Sequence, residues 1–481
     1  MEKFYIPTSI VYTNSSPHIG FALEVIQADV VARYRRLLGE EVLFSTGTDE
    51  HGIKNAQAAK AVGKTPADFT EEIARRVRDL AKALNLSNNE FIRTTDKGRH
   101  WPTVEKVWLK LKENGDIYKK KYEGMYCVGC EAFVVERDLV DEKCSIHKTP
   151  PEVVEEENYF FRLSKYENQL KRVIDEKEMK IIPEHRRNEL LDFIDQGLED
   201  TSCSRPREKL EWGVPVPDDE TQTVYVWLEA LVNYLSVVDY AVEGDKFKKF
   251  WPPDVHCIGK DIFTRFHGSL WLAILFALGV ELPRAIFVHG FITVNGQKMS
   301  KTLGNVIDPF ELIEKYGADA VRYFFLREIP SSEDGDFSYD KFEARYNADL
   351  AGGLGNLVAR VTTLATRSIS NQFSNSNFQT LIEQTRQKVS SAIESFQFNA
   401  ALEAIWEIVH ACDEYIDKER PWSFDSAQDK EKLEEVLGNL VFTIHNIAEL
   451  LNPFLPKTSE KILKQVQEGG KEVLFPRLDR L

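Results

Sequence analysis

A chain of 481 residues is too long for one hydrophobic core, so we expect two to four domains of about 100 to 200 residues each. Its 43% hydrophobic and 29% charged residues, without repeats or low complexity, exclude a disordered or fibrous protein, and its net charge of −16 excludes one that coats nucleic acid over its whole surface. The longest apolar run, residues 270–280, is shorter than the roughly 18 to 20 residues that span a bilayer, and no signal-peptide pattern opens the chain, so we expect a cytoplasmic protein without a membrane partner.

The opening residues predict a parallel α/β domain. Residues 4–6 are typical of a buried strand, and residues 21–37 carry apolar side chains at helical spacing before Gly39, which supplies a left-handed stop. Residues 41–44 predict a second strand, which runs into Gly47-Thr48-Asp49-Glu50-His51-Gly52 and another helix. This alternation of strand and helix indicates a doubly wound sheet.

A group of cysteines follows from about Gly115, where the pattern predicts short strands and an insertion within the sheet domain. Cys127 and Cys130 form one possible ligand pair, and Cys144 and His147 form a second, each with two intervening residues. Two such pairs supply four ligands and leave no open position, so they predict a structural Zn²⁺ site, with a catalytic zinc as the weaker alternative.

The remaining chain predicts the end of the sheet and then helices. Strands are expected at residues 223–227, 255–258 and 285–288, and an apolar helix at 270–278. Beyond residue 309 the pattern is almost wholly helical, with amphipathic stretches at 344–366, 379–393, 400–415 and 430–451. These stretches predict a helical bundle.

Two distant segments predict an ATP site. Pro17-His18-Ile19-Gly20 opens the first helix just after the first strand, where backbone N–H groups and the helix dipole attract phosphate. On its own this segment is weak, since His18 could equally be a capping or packing histidine. Lys298-Met299-Ser300-Lys301-Thr302 places two lysines in a glycine-flanked loop, for which a solvated basic turn is the alternative.

These two segments resemble the HIGH and KMSKS motifs of class I aminoacyl-tRNA synthetases, and the order of insertion and helical tail resembles the methionyl-tRNA synthetases over essentially the whole chain. The chain departs from the motifs at Phe21, the last HIGH position, and at Thr302, the last position of KMSKS. The resemblance implies a Rossmann-type catalytic domain with a zinc-binding insertion, followed by an α-helical anticodon-binding domain. The implied boundaries are 1–115 and 223–297 for the catalytic halves, 116–222 for the connective peptide with its zinc knuckle, 298–342 for the KMSKS loop and linking domain, and 343–481 for the helical domain.

The resemblance also implies a reaction. L-Methionine and ATP, accompanied by Mg²⁺, would form methionyl-adenylate and diphosphate, and the methionyl group would pass to the 3′ end of tRNA(Met). This chemistry requires no enzyme nucleophile, so the protein would position the reactants and stabilise charge. The implied catalytic residues are His18, Lys298 and Lys301, and the implied ATP-binding residues are His18, Gly20, Phe21, Gly259, Asp261, Lys298 and Lys301.

Two further sets of residues follow from the same resemblance. Asp49 would bind the methionine ammonium and His267 would approach the sulfur, within a set comprising Ile10, Tyr12, Asp49, Trp227, Ala230, Tyr234, Ile262 and His267. The anticodon would be read by Asn356, Arg360 and Trp422 through stacking and hydrogen bonds. Each assignment has a structural alternative, in which Asp49 or Asn356 caps a helix, Arg360 pairs with an acid, and the aromatic residues belong to the core.

Two rival functions stay open at this point. One is another small class I synthetase, of the cysteine type, which is expected to hold its substrate thiolate on a pocket zinc and not to place zinc in the insertion. The other is a catalytically inactive tRNA-binding paralogue, which Phe21 favours because a phenyl ring donates no hydrogen bond. No strand-rich RNA-binding domain follows the helices, so we expect a monomer.

Overall fold

A computed structural model describes residues 2–129, 131–134, 136, 139–145, 148–299, 304–365, 375–424, 430–468 and 472–479. The chain forms two units, each with its own set of internal contacts. Unit 1 comprises Met1–Pro17, Gly39–Ala81 and Asn88–Val288. Unit 2 comprises His18–Leu38, Lys82–Ser87 and His289–Leu481.

The strands, in chain order, are β1 (Lys3–Pro7), β2 (Val11–Tyr12), β3 (Glu41–Asp49), β4 (Glu90–Arg93), β5 (Ile117–Cys127), β6 (Ala132–Val134), β7 (Leu139–Val140), β8 (Lys143–Cys144), β9 (Glu152–Phe161), β10 (Lys180–Ile182), β11 (Thr201–Ser202), β12 (Ser204–Pro206), β13 (Pro215–Val216), β14 (Asp219–Val224), β15 (His256–Gly259), β16 (Ala285–His289), β17 (Ile292–Val294), β18 (Gln297–Lys298) and β19 (Gly335–Phe337).

The α-helices are α1 (Ile19–Leu37), α2 (Ile53–Ala61), α3 (Pro66–Ala83), α4 (His100–Glu113), α5 (Glu167–Asp175), α6 (Glu184–Asp195), α7 (Val226–Leu231), α8 (Asn233–Ser236), α9 (Asp245–Phe250), α10 (Trp271–Leu278), α11 (Pro309–Tyr316), α12 (Ala318–Arg327), α13 (Tyr339–Arg345), α14 (Asn356–Ala365), α15 (Ser376–Glu394), α16 (Phe398–Glu419), α17 (Lys430–Leu451) and α18 (Pro456–Glu468). Two π-helical stretches, Phe263–Leu270 and Tyr346–Gly355, lead into α10 and α14.

A parallel sheet lies at the centre of unit 1. Strand β3 pairs in parallel with β1, β2 and β4. Strands β10, β16 and β15 form a second set, with β10 parallel to β16, and a parallel bridge between Thr8 and Cys257 connects the two sets. The carboxyl ends of β1, β3 and β15 therefore lie at one edge, which is where parallel α/β sheets bind ligands.

The insertion contains longer strands than the sequence indicates. Strands β5 and β9 are 11 and 10 residues long and pair in antiparallel register, so the prediction of only short strands was wrong. The sequence did not reveal the length of these strands because charged residues pair across them. The exposed Lys121, for example, lies opposite Glu157. Cross-strand pairs of opposite charge stabilise a sheet without the apolar alternation that reveals a strand in sequence.

The strand expected at residues 223–227 was also placed wrongly. Strand β14 ends at Val224 and belongs to an antiparallel sheet with β12 and β13, and α7 begins at Val226. Trp227 is therefore helical. The aromatic and β-branched residues at 223–227 favour a strand locally, but the helix-forming residues that follow them decide the backbone of this segment.

Unit 2 combines α1 with the helices α11 to α18 and a small sheet. Strands β17 and β18 form a hairpin whose turn residues, Asn295 and Gly296, have φ angles of 52° and 74°, as a two-residue turn of this kind requires. Strand β19 pairs in parallel with β17, so the predicted helical region is interrupted by a strand. The stretch predicted as one helix at 344–366 contains the end of α13, a π-helical segment and α14.

One described helical stretch, Lys260–Leu278, passes a length and composition test for a membrane span, with a mean hydropathy of 1.2. Within that stretch, 67% of the tested window is buried inside the protein. A core helix passes the same test, and α10 contains buried residues along almost its whole length.

Candidate active site

Asp49 ends β3 at the ligand-binding edge of the sheet. Its backbone oxygen accepts a hydrogen bond from the amide of Thr13 at 3.0 Å. The side chain is 7% exposed, and Oδ1 has no hydrogen-bond partner among the described residues. Burial, together with the carboxylates of Glu229, Glu131 and Glu50, raises the pKa of Asp49 well above its ordinary value. A buried acceptor of this kind is unfavourable alone and favours a cationic donor.

A second buried carboxylate, Glu229, follows Trp227 on α7. It is 0% exposed, and its Oε1 lies 2.8 Å from Nε2 of His100 and 3.2 Å from Nδ1 of His51. Burial alone would raise the pKa of Glu229, but His51 and His100 lower it to about 2. This group therefore stays ionised, and its charge contributes to the raised pKa of Asp49.

Aromatic side chains line the same part of unit 1. The rings of Trp227 and Phe266 stack with centroids 3.5 Å apart and an interplanar angle of 9°. The Tyr234 hydroxyl donates to Nε2 of His267 at 2.7 Å, and Nδ1 of His267 donates to the Ile262 carbonyl at 3.1 Å. These two bonds fit a neutral imidazole with its proton on Nδ1. An aromatic slot with a neutral imidazole suits a thioether.

The other predicted methionine residues also lie in unit 1. Ile10 follows β1 and packs, partly buried, against the main core. Ala230 is 7% exposed and shares α7 with Trp227. Tyr12, in β2, donates its hydroxyl to Glu131 of the insertion.

His18 caps the amino end of α1 in unit 2. Its Nδ1 accepts the Gly20 amide hydrogen at 3.0 Å, so the neutral imidazole carries its proton on Nε2. Burial lowers the pKa of His18, which favours this neutral form. A Cβ at position 20 would lie 2.8 Å from Cε1 of His18, so any other residue would displace the His18 imidazole. The Phe21 side chain is 9% exposed and packs inward.

The predicted lysine segment starts on the hairpin of unit 2. Lys298 is exposed in β18, with Nζ 5.5 Å from the centroid of the Phe291 ring. The Met299 methyl carbon lies 3.9 Å from the position of a Cβ on Gly20, so the two predicted motifs approach each other within this unit. Lys301 and Thr302 lie outside the described residues.

The predicted ribose-binding residues follow β15 in unit 1. Gly259 ends this strand, and Asp261 is exposed in the 3₁₀ turn Lys260–Ile262. An exposed carboxylate at the carboxyl end of a parallel strand is suited to accept hydrogen bonds from hydroxyl groups.

Comparisons with known proteins identify the family of the chain. The family model for class I tRNA synthetases (M) matches residues 4–139 and 134–362, and that for the anticodon-binding domain of tRNA ligases matches residues 376–477. The chain is 42% identical over 476 residues to methionine–tRNA ligase of Thermotoga maritima, covering 96% of this chain and 75% of the relative. The enzyme of Caldanaerobacter subterraneus is 42% identical over 509 residues, covering 99% and 79%.

A solved structure, Mycobacterium tuberculosis methionyl-tRNA synthetase in complex with methionyl-adenylate, is similar with a TM-score of 0.93 and 36% identity, covering 99% of this chain and 100% of that one. The chain belongs to the methionyl-tRNA synthetase family. It is therefore a ligase that uses ATP, methionine and tRNA, and the family inferred from the motifs is confirmed. The parallel α/β catalytic fold and the helical anticodon-binding domain are confirmed with it.

Half of the predicted zinc site of this synthetase is described. Cys127 and Cys144 are each 1% exposed and share a small buried cluster with Val134. Cys130 and His147 lie outside the described residues. No group of three possible metal ligands occurs within the described part of the chain. Two buried thiols on neighbouring hairpins fit half of a tetrahedral zinc site.

The predicted anticodon residues lie on the helical part of unit 2. Asn356 is exposed at the start of α14. The Arg360 guanidinium is 5.7 Å from the ring centroid of Trp422, and its Nη2 lies 3.0 Å from Asp417. Trp422 is 52% exposed, so it is not a core residue, and an exposed ring beside a guanidinium is suited to base stacking.

Sequence reasoning missed Glu131, Glu229 and Phe266 in the amino-acid site. Glu229 lies two residues after Trp227, and Phe266 directly precedes His267, so proximity to predicted residues was an available signal. The sequence indicated a site role for Glu131 less clearly, because this residue directly follows a predicted zinc ligand and a structural role is expected there.

Proposed function

We propose that Asp49 binds the ammonium group of methionine while Trp227, Tyr234 and His267 enclose its side chain. The observation that carries this proposal is the buried Oδ1 of Asp49, which has no partner in the described parts of the chain. A substrate ammonium supplies the missing donor and a compensating charge. The stacked Trp227 ring and the neutral His267 imidazole provide apolar contact for the thioether.

Formation of methionyl-adenylate follows from this placement. The methionine carboxylate attacks the α-phosphorus of ATP, the bond to the bridging oxygen breaks, and diphosphate leaves. His18 would donate its Nε2 hydrogen to phosphate at the amino end of α1. Lys298 and Lys301 would neutralise charge on the departing diphosphate, Gly20 would allow the close approach, and Asp261 beside Gly259 would bind the ribose. Phe21 would line the ATP site without donating a hydrogen bond.

Metals complete the proposed function without entering a step of it. Cys127, Cys130, Cys144 and His147 would hold one structural Zn²⁺ that fixes the insertion. Mg²⁺ would accompany ATP and neutralise part of its phosphate charge.

We also propose a cytoplasmic monomer with the domain boundaries predicted from the sequence. Sedimentation as a concentration-independent dimer would contradict the monomer.

Recognition of tRNA(Met) is assigned to the helical part. Asn356 would hydrogen bond a base edge, Trp422 would stack on a base, and Arg360 would hold the Trp422 ring and contact the anticodon.

Trp422→Ala is expected to raise the KM for tRNA about tenfold while leaving adenylate formation unchanged, because base stacking contributes ~1 to 3 kcal/mol. Equal KM values for the variant and the parent would contradict this assignment.

The reaction is tested by ATP–diphosphate exchange with each amino acid in turn. We expect exchange with methionine and none with cysteine. Binding of tRNA without any exchange would show an inactive paralogue.

The role of the lysine segment is tested in the same assay. Lys301→Ala is expected to lower kcat at least tenfold with little change in methionine affinity, because its contacts strengthen as diphosphate departs. The exposed Lys388→Ala, on α15, serves as the control. Full activity of the Lys301 variant would refute the assigned role.

A further inference from the structure

Glu131 brings a buried carboxylate from the insertion to the amino-acid site. Its side chain is 4% exposed, although it belongs to a segment of short hairpins. Its backbone has a φ of 45°, in the left-handed region that non-glycine residues rarely adopt. Such strain persists only where surrounding contacts hold the residue in place, and it concentrates at functional sites.

The carboxylate of Glu131 makes two kinds of contact. Its Oε2 accepts the hydroxyl hydrogen of Tyr12, and its Oε1 accepts the amide hydrogen of Lys54 at 3.0 Å, at the amino end of α2. The helix dipole favours a negative charge at this end. One carboxylate therefore connects the insertion, α2 and the tyrosine of β2.

Gly52 makes room for this contact. A Cβ at this position would lie 2.2 Å from the Tyr12 hydroxyl oxygen and 2.9 Å from Oε1 of Glu131. The φ angle of Gly52 is 107°, which also requires glycine. The turn between Asp49 and α2 is thus shaped to let the hydroxyl and the carboxylate meet.

We propose that Glu131 is a positioning residue for the methionine site, and that it acts by fixing the Tyr12 ring against the bound amino acid. This inference rests on the proposed role of Tyr12 in that site. The buried carboxylate of Glu131 accepts the Tyr12 hydroxyl hydrogen and so restrains the orientation of the Tyr12 ring. Preorganisation of this kind increases affinity because less side-chain freedom is lost on binding. The insertion thereby contributes to amino-acid affinity as well as to its own fold.

The competing possibility is that Glu131 only caps α2. The two differ in what Tyr12→Phe does, since that change removes the hydroxyl and leaves the cap on Lys54 intact. Removing a hydrogen bond to a charged group is expected to weaken methionine binding about tenfold or more. A pure capping role predicts no change in affinity for Tyr12→Phe.

The experiment is a calorimetric titration of the full chain with methionine, without ATP. Glu131→Gln and Tyr12→Phe are each expected to raise the Kd about tenfold, and the double variant no more than Tyr12→Phe alone, because the first removes the charge of one contact and the second removes that contact. Glu136→Gln, an exposed glutamate of the insertion, is the matched control with an unchanged Kd. The KM for ATP is expected to stay the same in all variants.

The results distinguish a failure of the positioning role of Glu131 from a failure of the proposed function. An unchanged Kd for Tyr12→Phe, or effects that multiply in the double variant, would overturn the positioning role. Failure of the parent protein to bind methionine would instead contradict the proposed function. If Glu131→Gln does not fold, as judged by circular dichroism, Tyr12→Phe against the parent still decides the question.

Discussion

Two buried aspartates, one in each unit, have opposite surroundings. Asp29 on α1 is 0% exposed and accepts from Arg322 Nη1 at 2.8 Å, from Arg33 Nε at 2.8 Å, and from the amide and hydroxyl of Ser87, both at 2.6 Å. Asp49 on β3 has an oxygen with no partner among the residues described, and faces other carboxylates. A buried charge with all its partners is part of the framework, whereas a buried charge without them is available to a ligand.

Their neighbours move the pKa values of Asp29 and Asp49 in opposite directions. Burial would raise the pKa of Asp29, but Arg322 and Arg33 lower it below the ordinary value of 3.8. Burial and the neighbouring carboxylates of Glu229, Glu131 and Glu50 raise the pKa of Asp49. Arg322 also donates to the carbonyls of Phe454 at 2.6 Å and Pro453 at 2.9 Å, so its guanidinium connects α1 to the turn before α18.

The largest expected effect is on stability in unit 2. Arg322→Met should lower the free energy of unfolding by ~3 to 5 kcal/mol, because it leaves the Asp29 carboxylate buried without its main counter-ion. Lys388→Met, which breaks an exposed pair with Glu407, should change it by less than ~1 kcal/mol. Urea unfolding followed by circular dichroism measures both. Equal losses of unfolding free energy for the two variants would show that the buried Asp29–Arg322 pair stabilises the fold no more than an exposed pair.

Methionine binding should depend on pH because Asp49, unlike Asp29, has a raised pKa. As the pH falls through the raised pKa of Asp49, the free protein takes up a proton and the ammonium loses its partner. The Kd for methionine should therefore rise, by at most about tenfold per pH unit, at a pH above the ordinary carboxyl range. Calorimetry at descending pH tests this, and Asp49→Asn should abolish the dependence.

The contribution of Asp29 to stability should disappear only at lower pH. Its folded-state pKa lies below its unfolded value, so this stabilisation is present above the unfolded pKa and is lost as the pH falls through the folded pKa. Methionine affinity should thus weaken while helical circular dichroism is still unchanged. Simultaneous loss of both signals would contradict the assignment of separate roles.

The smallest expected effect is a slight gain in stability for Asp49→Asn. Asp49→Asn should leave stability unchanged or raise it by ~1 kcal/mol at neutral pH, because a raised pKa means that the ionised form is unfavourable in the folded protein. Asp29→Asn should destabilise. Thermal unfolding compares the pair, and a loss of stability for Asp49→Asn as large as that for Asp29→Asn would show that both aspartates are structural.

The sequence predicted those features that depend on local patterns or on short motifs. Helix α1, strands β1, β3 and β16, and most helices of unit 2 follow from periodicity, and the family follows from the two lysines and His18-Ile19-Gly20. The charged strand β5 escaped because both of its faces are polar, and Trp227 was misplaced because local propensity favoured a strand.

Partner choice was not predictable in the same way. Asp29 with Arg322 and Tyr12 with Glu131 are far apart in the chain, and nothing in either local pattern specifies the other member. A carboxylate's partners decide whether it is structural or available to a ligand, and these depend on the folded backbone. The sequence therefore named Asp49 through family resemblance, while its unpartnered oxygen came from the structure.

Asp49 is proposed to bind the amino group of the substrate, and this role can be measured without any catalysis. Calorimetric titration of the parent protein and of Asp49→Asn with methionine and with 4-(methylthio)butanoate, which lacks the amino group, tests it most directly. We expect the parent to bind methionine at least ~100-fold more tightly than the analogue, and Asp49→Asn to lose most of this preference. Equal binding of both compounds by the parent protein would contradict it.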